Sequence, residues 1–208
     1  MSNRRPMSSL SSQDHSTEYP FGGRYYESEE LCSFGFKRVG KNVKIHSRAS
    51  VYCPENIELG DNVRIDDYVV IVAGGPLKIG SYVHIANFCY VGSRAGITFN
   101  DFVGLAHGVR IFSSSDDYSG AHLTNPTVPG EMTGGVSAPV LLDKHVIIGA
   151  NSVVLPGVNI GEGCSVGACS LVKADLAPWG VYFGTPVRRI AQRAKDLLQL
   201  EAKIPRNR

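Results

Sequence analysis

A six-residue period constrains this chain more than any other feature. Counted in sixes from Leu142, the chain places Leu142, Ile148, Val154, Ile160, Val166 and Val172 in line, and every stop is aliphatic. The residue four places on is restricted too: Val146, Ser152, Val158, Cys164, Ser170 and Leu176. Glycine follows the aliphatic at Gly149, Gly161 and Gly167. The same period runs upstream through Leu59, Ile65, Ile71, Ile79, Ile85, Val91, Phe99, Leu105 and Ile111, with two steps of eight residues at Ile71 to Ile79 and Val91 to Phe99. Weaker repeats begin at Val39, Ile45 and Val51. An amphipathic helix spaces its apolar residues by three and four, and a half-buried strand by two. A period of six fits neither. It fits a short strand plus a turn, repeated, with one large aliphatic pointing inward each time. Three such sides close one coil of a parallel β-helix, and each rung stacks on the next at about 4.8 Å. Hairpins in a sandwich would show period-two alternation and would not hold a six-residue phase.

The 208 residues fit one domain with short appendages, and the net charge of +2 points to no nucleic-acid partner. No apolar run is long enough to span a membrane. Met1 to Ser16 is polar and Ser-rich without a signal-peptide core, which predicts a flexible arm over 1–24 and a cytoplasmic protein. The five cysteines (Cys32, Cys53, Cys89, Cys164, Cys169) form no CxxC pair and predict buried free thiols.

The solenoid domain is expected over 25–184. Within it, the phase breaks over about 113–139, a polar stretch rich in Gly and Pro. A loop this long on a regular scaffold projects outward, where it can reach a neighbouring subunit, and such loops usually carry function. Tyr25 to Phe36 reads as a short helix and a turn. Beyond the coils, over 185–208, Thr185 and Pro186 suit a helix start. Ile190, Ala194, Leu197, Leu198 and Leu200 then give an apolar face to a C-terminal α-helix of roughly 15 residues that caps the solenoid.

The tract DKHVIIGANSVVLPGVNIGEGCSVGACSLVKADL, followed by GTPVRRI, resembles the C-terminal coils of the hexapeptide-repeat acetyltransferases. PENIELGDNVRID and YVHIAN extend the likeness upstream. Among these the chain is most similar to galactoside and maltose O-acetyltransferases and to O-acetyltransferases of bacterial surface polysaccharides. The resemblance implies an all-β, left-handed parallel β-helix. It also implies acetyl-CoA as co-substrate without a metal, and a homotrimer with its active site between subunits. The expected activity is O-acetylation of a sugar in a surface polysaccharide or its precursor. The alternative is N-acetylation of a nucleotide-linked amino sugar. By the same resemblance Gly149, Ala150, Gly167 and Ala168 present backbone to the pantetheine arm, and Lys173 with Arg188 or Arg189 meets the CoA phosphates. The family's lysine falls one place later, where this chain has Ala174.

Acyl transfer to a hydroxyl needs a base at the attacking oxygen and donors for the oxyanion. In the resembled enzymes the base is a histidine at the start of the projecting loop, and Asp116 stands there in this chain. The favoured catalytic residues are therefore His84, in YVHIAN, and Asp116. Asn87, Asp117 and Tyr118 are expected to bind the acceptor. His84 and Asp116 stand five repeats apart, which at about 4.8 Å for each repeat is roughly 24 Å. His107 occupies the place of the base in lipid A acyltransferases, and His122 could fold from the loop toward the site. His145 reads as a surface corner, His46 as remote, and His15 as part of the arm. A γ-type carbonic anhydrase would need three His ligands on one zinc, two of them close in sequence, and these spacings offer no such pair. A purely structural solenoid would leave the loop and the C-terminal tract without a reason.

Overall fold

The computed structural model describes residues 22–204. Most of the expected arm lies outside those residues. The chain winds a left-handed parallel β-helix of about seven turns with three flat faces. The first face carries the strands of Ile45, Ile65, Ile85, Leu105, Ile148 and Val166, and the second those of Val51, Ile71, Val91, Ile111, Val154 and Val172. The third carries Leu59, Ile79, Phe99, Leu142 and Ile160. Between Leu59 and Val172 these inward residues are at most 3 % exposed. Each strand is only two or three residues long, so the fold depends on this stacked aliphatic column. The two eight-residue steps fall at the corner between the second and third faces. There Ala73 to Pro76 and Ser93 to Gly96 make longer turns, and the buried Ser93 hydroxyl donates to the Pro76 carbonyl at 2.6 Å.

Three repeats share one rung, which corrects the separation inferred for His84 and Asp116. His84 pairs with Gly104 on the neighbouring rung. The loop leaves from that same rung, after the strand Arg110–Phe112. The axial offset between His84 and the loop root is thus about one rung, ~4.8 Å, rather than five.

The projecting loop begins and ends where the phase break predicts. Ser114–Asp116 pairs antiparallel with Gly135–Ser137. The buried Ser113 hydroxyl anchors the root by accepting from the backbone N–H groups of Arg94 and Ala95 at 2.8 and 2.9 Å. Gly135 adopts φ +148°, and a Cβ there would lie 2.2 Å from the Ser115 carbonyl oxygen, so only glycine closes this hairpin.

The chain ends differ from expectation. A strand, Tyr25–Glu27, precedes the short helix Ser28–Leu31 and pairs antiparallel with Lys44–His46. At the other end no helix starts at Thr185. Val187–Gln192 instead forms a strand antiparallel to Gly180–Gly184, and the helix is confined to Leu197–Glu201. The last rung exposes a row of unpaired backbone groups, and satisfying that edge outweighs a modest helical propensity. Arg193 closes the cap by donating to the carbonyls of His145 and Gly163 at 2.7 and 3.0 Å. His145 is buried rather than a surface corner, stacked on Phe102 and bonded to Glu201 at 2.8 Å. Of the five free cysteines only Cys89 and Cys164 are buried; Cys32, Cys53 and Cys169 are exposed at turns.

Candidate active site

The loop folds back over the solenoid and lines an open cavity of about 530 Å³. The loop supplies Asp116, Asp117, Tyr118 and His122, and the corner after the second face supplies Leu155, Pro156 and Lys173. Asp117 organises the polar side. Its Oδ1 accepts the Ser119 backbone N–H at 2.7 Å, and its Oδ2 lies 2.9 Å from His122 Nδ1. Hydrogen bonds from Ser119 and His122 hold the Asp117 carboxyl well below the usual carboxylate range. Ionised Asp117 accepts only, so His122 donates through Nδ1, and in the neutral ring Nε2 is the acceptor. His122 rests against Gly134, where a Cβ would lie 2.5 Å from the ring. The Gly134-Gly135 pair was the signal in the sequence for this packing.

The expected residues separate into four places. Asp116, Asp117, Tyr118 and Lys173 meet at the cavity, so Lys173 stands beside the residues expected to bind the acceptor. His84 lies outside it, on the first face. Its Nε2 is 2.8 Å from Asp66 Oδ2, while Arg64 Nε and the Tyr25 hydroxyl each donate to Asp66 Oδ1 at 2.7 Å. Burial raises the Asp66 carboxyl, but the bonds from His84, Arg64 and Tyr25 outweigh it and hold it well below the usual range. Burial, with Asp66 as acceptor, pushes the Tyr25 phenol up to about 12. Asn87 is bonded to His107, through Oδ1 and Nδ1, at the corner between the first and second faces.

Gly149, Ala150, Gly167 and Ala168 line that same corner two and three rungs further on. A Cβ on Gly149 would lie 2.5 Å from the Ala168 nitrogen, and one on Gly167 would lie 2.2 Å from the Phe183 ring. Coil packing alone therefore requires Gly149, which meets backbone, while Gly167 makes room for the Phe183 side chain. Arg188 is exposed on the capping strand.

Comparison with known proteins is consistent with this architecture. Residues 139–174 match the family model for the bacterial transferase hexapeptide (six repeats). A dTDP-4-amino-4,6-dideoxy-D-glucose acyltransferase of Escherichia coli is 44% identical over 179 residues, covering 86% of this chain and 93% of that protein. The chain belongs to the hexapeptide-repeat acyltransferases. A solved structure of AntD, an N-acyltransferase from Bacillus cereus in complex with dTDP and 3-hydroxybutyryl-CoA, superposes on this acyltransferase with a TM-score of 0.83. It is 43% identical, covering 87% of this chain and 96% of that one. The putative lipopolysaccharide O-acetyl transferase WbbJ of Escherichia coli K12 is more distant, 31% identical over 70% of this chain and 74% of its own. These relatives overturn the expected O-acetylation of a polysaccharide sugar. The near-full-length matches are acyltransferases named for a nucleotide-linked amino sugar or for N-acylation, while the O-acetyl transferase covers less at lower identity.

Proposed function

We propose that this acyltransferase moves an acyl group from a CoA thioester to the amine of a nucleotide-linked 4-amino-6-deoxy sugar. The observation that carries the reading is the 44% identity to the Escherichia coli dTDP-amino-sugar acyltransferase over 93% of that protein. The site chemistry supports it. A hydroxyl must lose its proton to attack a thioester, whereas a neutral amine attacks with its own lone pair and releases a proton afterwards. Such a reaction needs a proton acceptor of modest strength near the nitrogen. In this reading His122 Nε2 takes the proton from the acylated nitrogen as the carbon–sulfur bond breaks, and passes it to the departing thiolate. Asp117 holds the imidazole in the required tautomer and orientation, as a carboxylate does for a catalytic histidine elsewhere. Lys173 supplies positive charge near the developing oxyanion. Asp116 and Tyr118 accept and donate hydrogen bonds to the sugar. The pantetheine arm runs past Ala150 and Ala168, and Arg188 meets CoA phosphate.

We further propose a cytoplasmic homotrimer, in which a neighbour completes the cleft beside each loop. None of the described helices is long and apolar enough to cross a membrane.

The test is thiol release from acetyl-CoA and 3-hydroxybutyryl-CoA, with dTDP-4-amino-4,6-dideoxyglucose or its 4-hydroxy counterpart as acceptor. Turnover on the amine, at least a hundredfold above that on the hydroxyl, is expected. Equal or greater turnover on the hydroxyl sugar overturns the proposal.

A further inference from the structure

Two corners of the solenoid carry stacked rings, and they end differently. Between the third and first faces the rings run from rung to rung. Tyr82 stacks on Phe102 at 4.8 Å, Phe102 on His145 at 5.0 Å, and Trp179 follows at 6.5 Å with Lys195 over its ring. Between the first and second faces Arg48 lies over Tyr68, and Tyr68 stacks on Phe88 at 5.4 Å with the planes 3° apart. The next place in that column is Gly108, and the stack stops. Phe88 is 58% exposed, and its second face has no ring partner among the described residues.

The space beside Phe88 is bordered by polar groups. Asn151 Oδ1 lies 2.3 Å from where a Cβ on Gly108 would sit, so its amide closes the slot from the next rung. His107, held through Nδ1 by Asn87, stands before Gly108 with Nε2 unpaired among the described residues. Arg110 Nη1 donates to the Gly108 carbonyl at 3.0 Å, and Arg110 has no acidic partner among the described residues. Arg110 projects from the second face, between this corner and the root of the loop. The five steps from Gly108 to Ser113 cover roughly 16 Å of extended chain, a span that an extended sugar nucleotide bridges.

A bare flat ring, hydrogen-bonding groups at its edge and an unpaired cation one step along together suit a nucleoside diphosphate. We propose that the nucleobase of the acceptor stacks on Phe88 over Gly108, with Arg110 on its diphosphate and the amino sugar reaching the loop cavity. This rests on the nucleotide-linked acceptor proposed above.

Calorimetric titration of the full chain with dTDP, and separately with CoA, tests it. Phe88→Leu is expected to weaken dTDP binding about tenfold, the usual effect of losing one base–aromatic stack. Phe88→Tyr restores it, and CoA binding stays at the wild-type value. Arg110→Gln weakens dTDP several-fold and flattens its salt dependence, and it carries the test should Phe88→Leu not fold. Unchanged dTDP affinity in folded Phe88→Leu, or in Arg110→Gln, overturns the inference, as does a loss confined to CoA. Wild-type protein that binds no dTDP overturns the acceptor assignment itself, which separates the two failures.

Discussion

At the scale of single residues, the proposed mechanism rests on the pairing of Asp117 with His122. A positioned acid–base group is worth roughly 10² to 10⁴ in rate. His122→Ala is therefore expected to lower kcat for the amino sugar about a hundredfold or more while CoA affinity is retained. Asp117→Asn should lower kcat at least tenfold, because the amide lets the imidazole adopt the wrong tautomer. Steady-state kinetics check both, and an undiminished His122→Ala removes the histidine from the reaction. The Tyr25, Arg64, Asp66 and His84 network makes a different prediction, about stability. The Asp66 carboxyl is held below its ordinary value of 3.8, so its contribution is present above that pH and is lost as the pH falls below it. Tyr25 is raised from 10.0 to about 12, so its contribution is present below pH 10 and is lost as the pH rises through 12. Urea midpoints should fall at both ends of that range, and Asp66→Asn should make the acid limb shallower, the remainder coming from other lowered carboxylates such as Asp117 and Glu201. Identical acid limbs in wild type and variant would contradict the assignment. Asp116, Asp117 and Tyr118 were legible in the sequence because they sit where the period breaks. The partnership with His122 was not, because it depends on how a loop with no period of its own turns back.

At the scale of elements, the period of six fixed the solenoid because each inward aliphatic has to meet its counterpart on the rungs above and below. The same logic separates the glycines. A Cβ on Gly60 would lie 2.6 Å from the Gly80 carbonyl carbon, which is backbone and cannot swing aside. Gly60→Ala should cost about 1–3 kcal/mol, the usual price of overpacking. Gly104 has nothing nearer than the Ile147 side chain at 3.8 Å, so Gly104→Ala should change stability by less than ~0.5 kcal/mol. Thermal melts of the two variants decide it, and equal losses would mean that coil contact is not what selects glycine at position 60. The C-terminal segment departs from the helix its spacing predicts for a physical reason. Its apolar spacing suits a helix, but the open edge of the last rung recruits Val187–Gln192 as a strand. Local pattern competes there with an unsatisfied tertiary edge, which sequence spacing does not reveal.

At the scale of the whole molecule, a regular shaft positions a loop that lines the candidate site. The shaft was legible almost throughout, as was the use of a CoA thioester. The acceptor was not, because the coil repeats specify packing and say nothing about what the loop holds. The missing histidine at Asp116 was the one residue that pointed away from hydroxyl chemistry. The proposed trimer rests on the family resemblance. Sedimentation should return three copies per particle, and a stable monomer with full activity would show that one chain suffices for the cleft. The central claim is the bond that is made. It is tested most directly by isolating the product of acyl-CoA and dTDP-4-amino-4,6-dideoxyglucose and locating the acyl carbon by nuclear magnetic resonance. An amide on the nitrogen at C4 of the sugar is expected. An ester on a ring hydroxyl, with the amine left free, would contradict it.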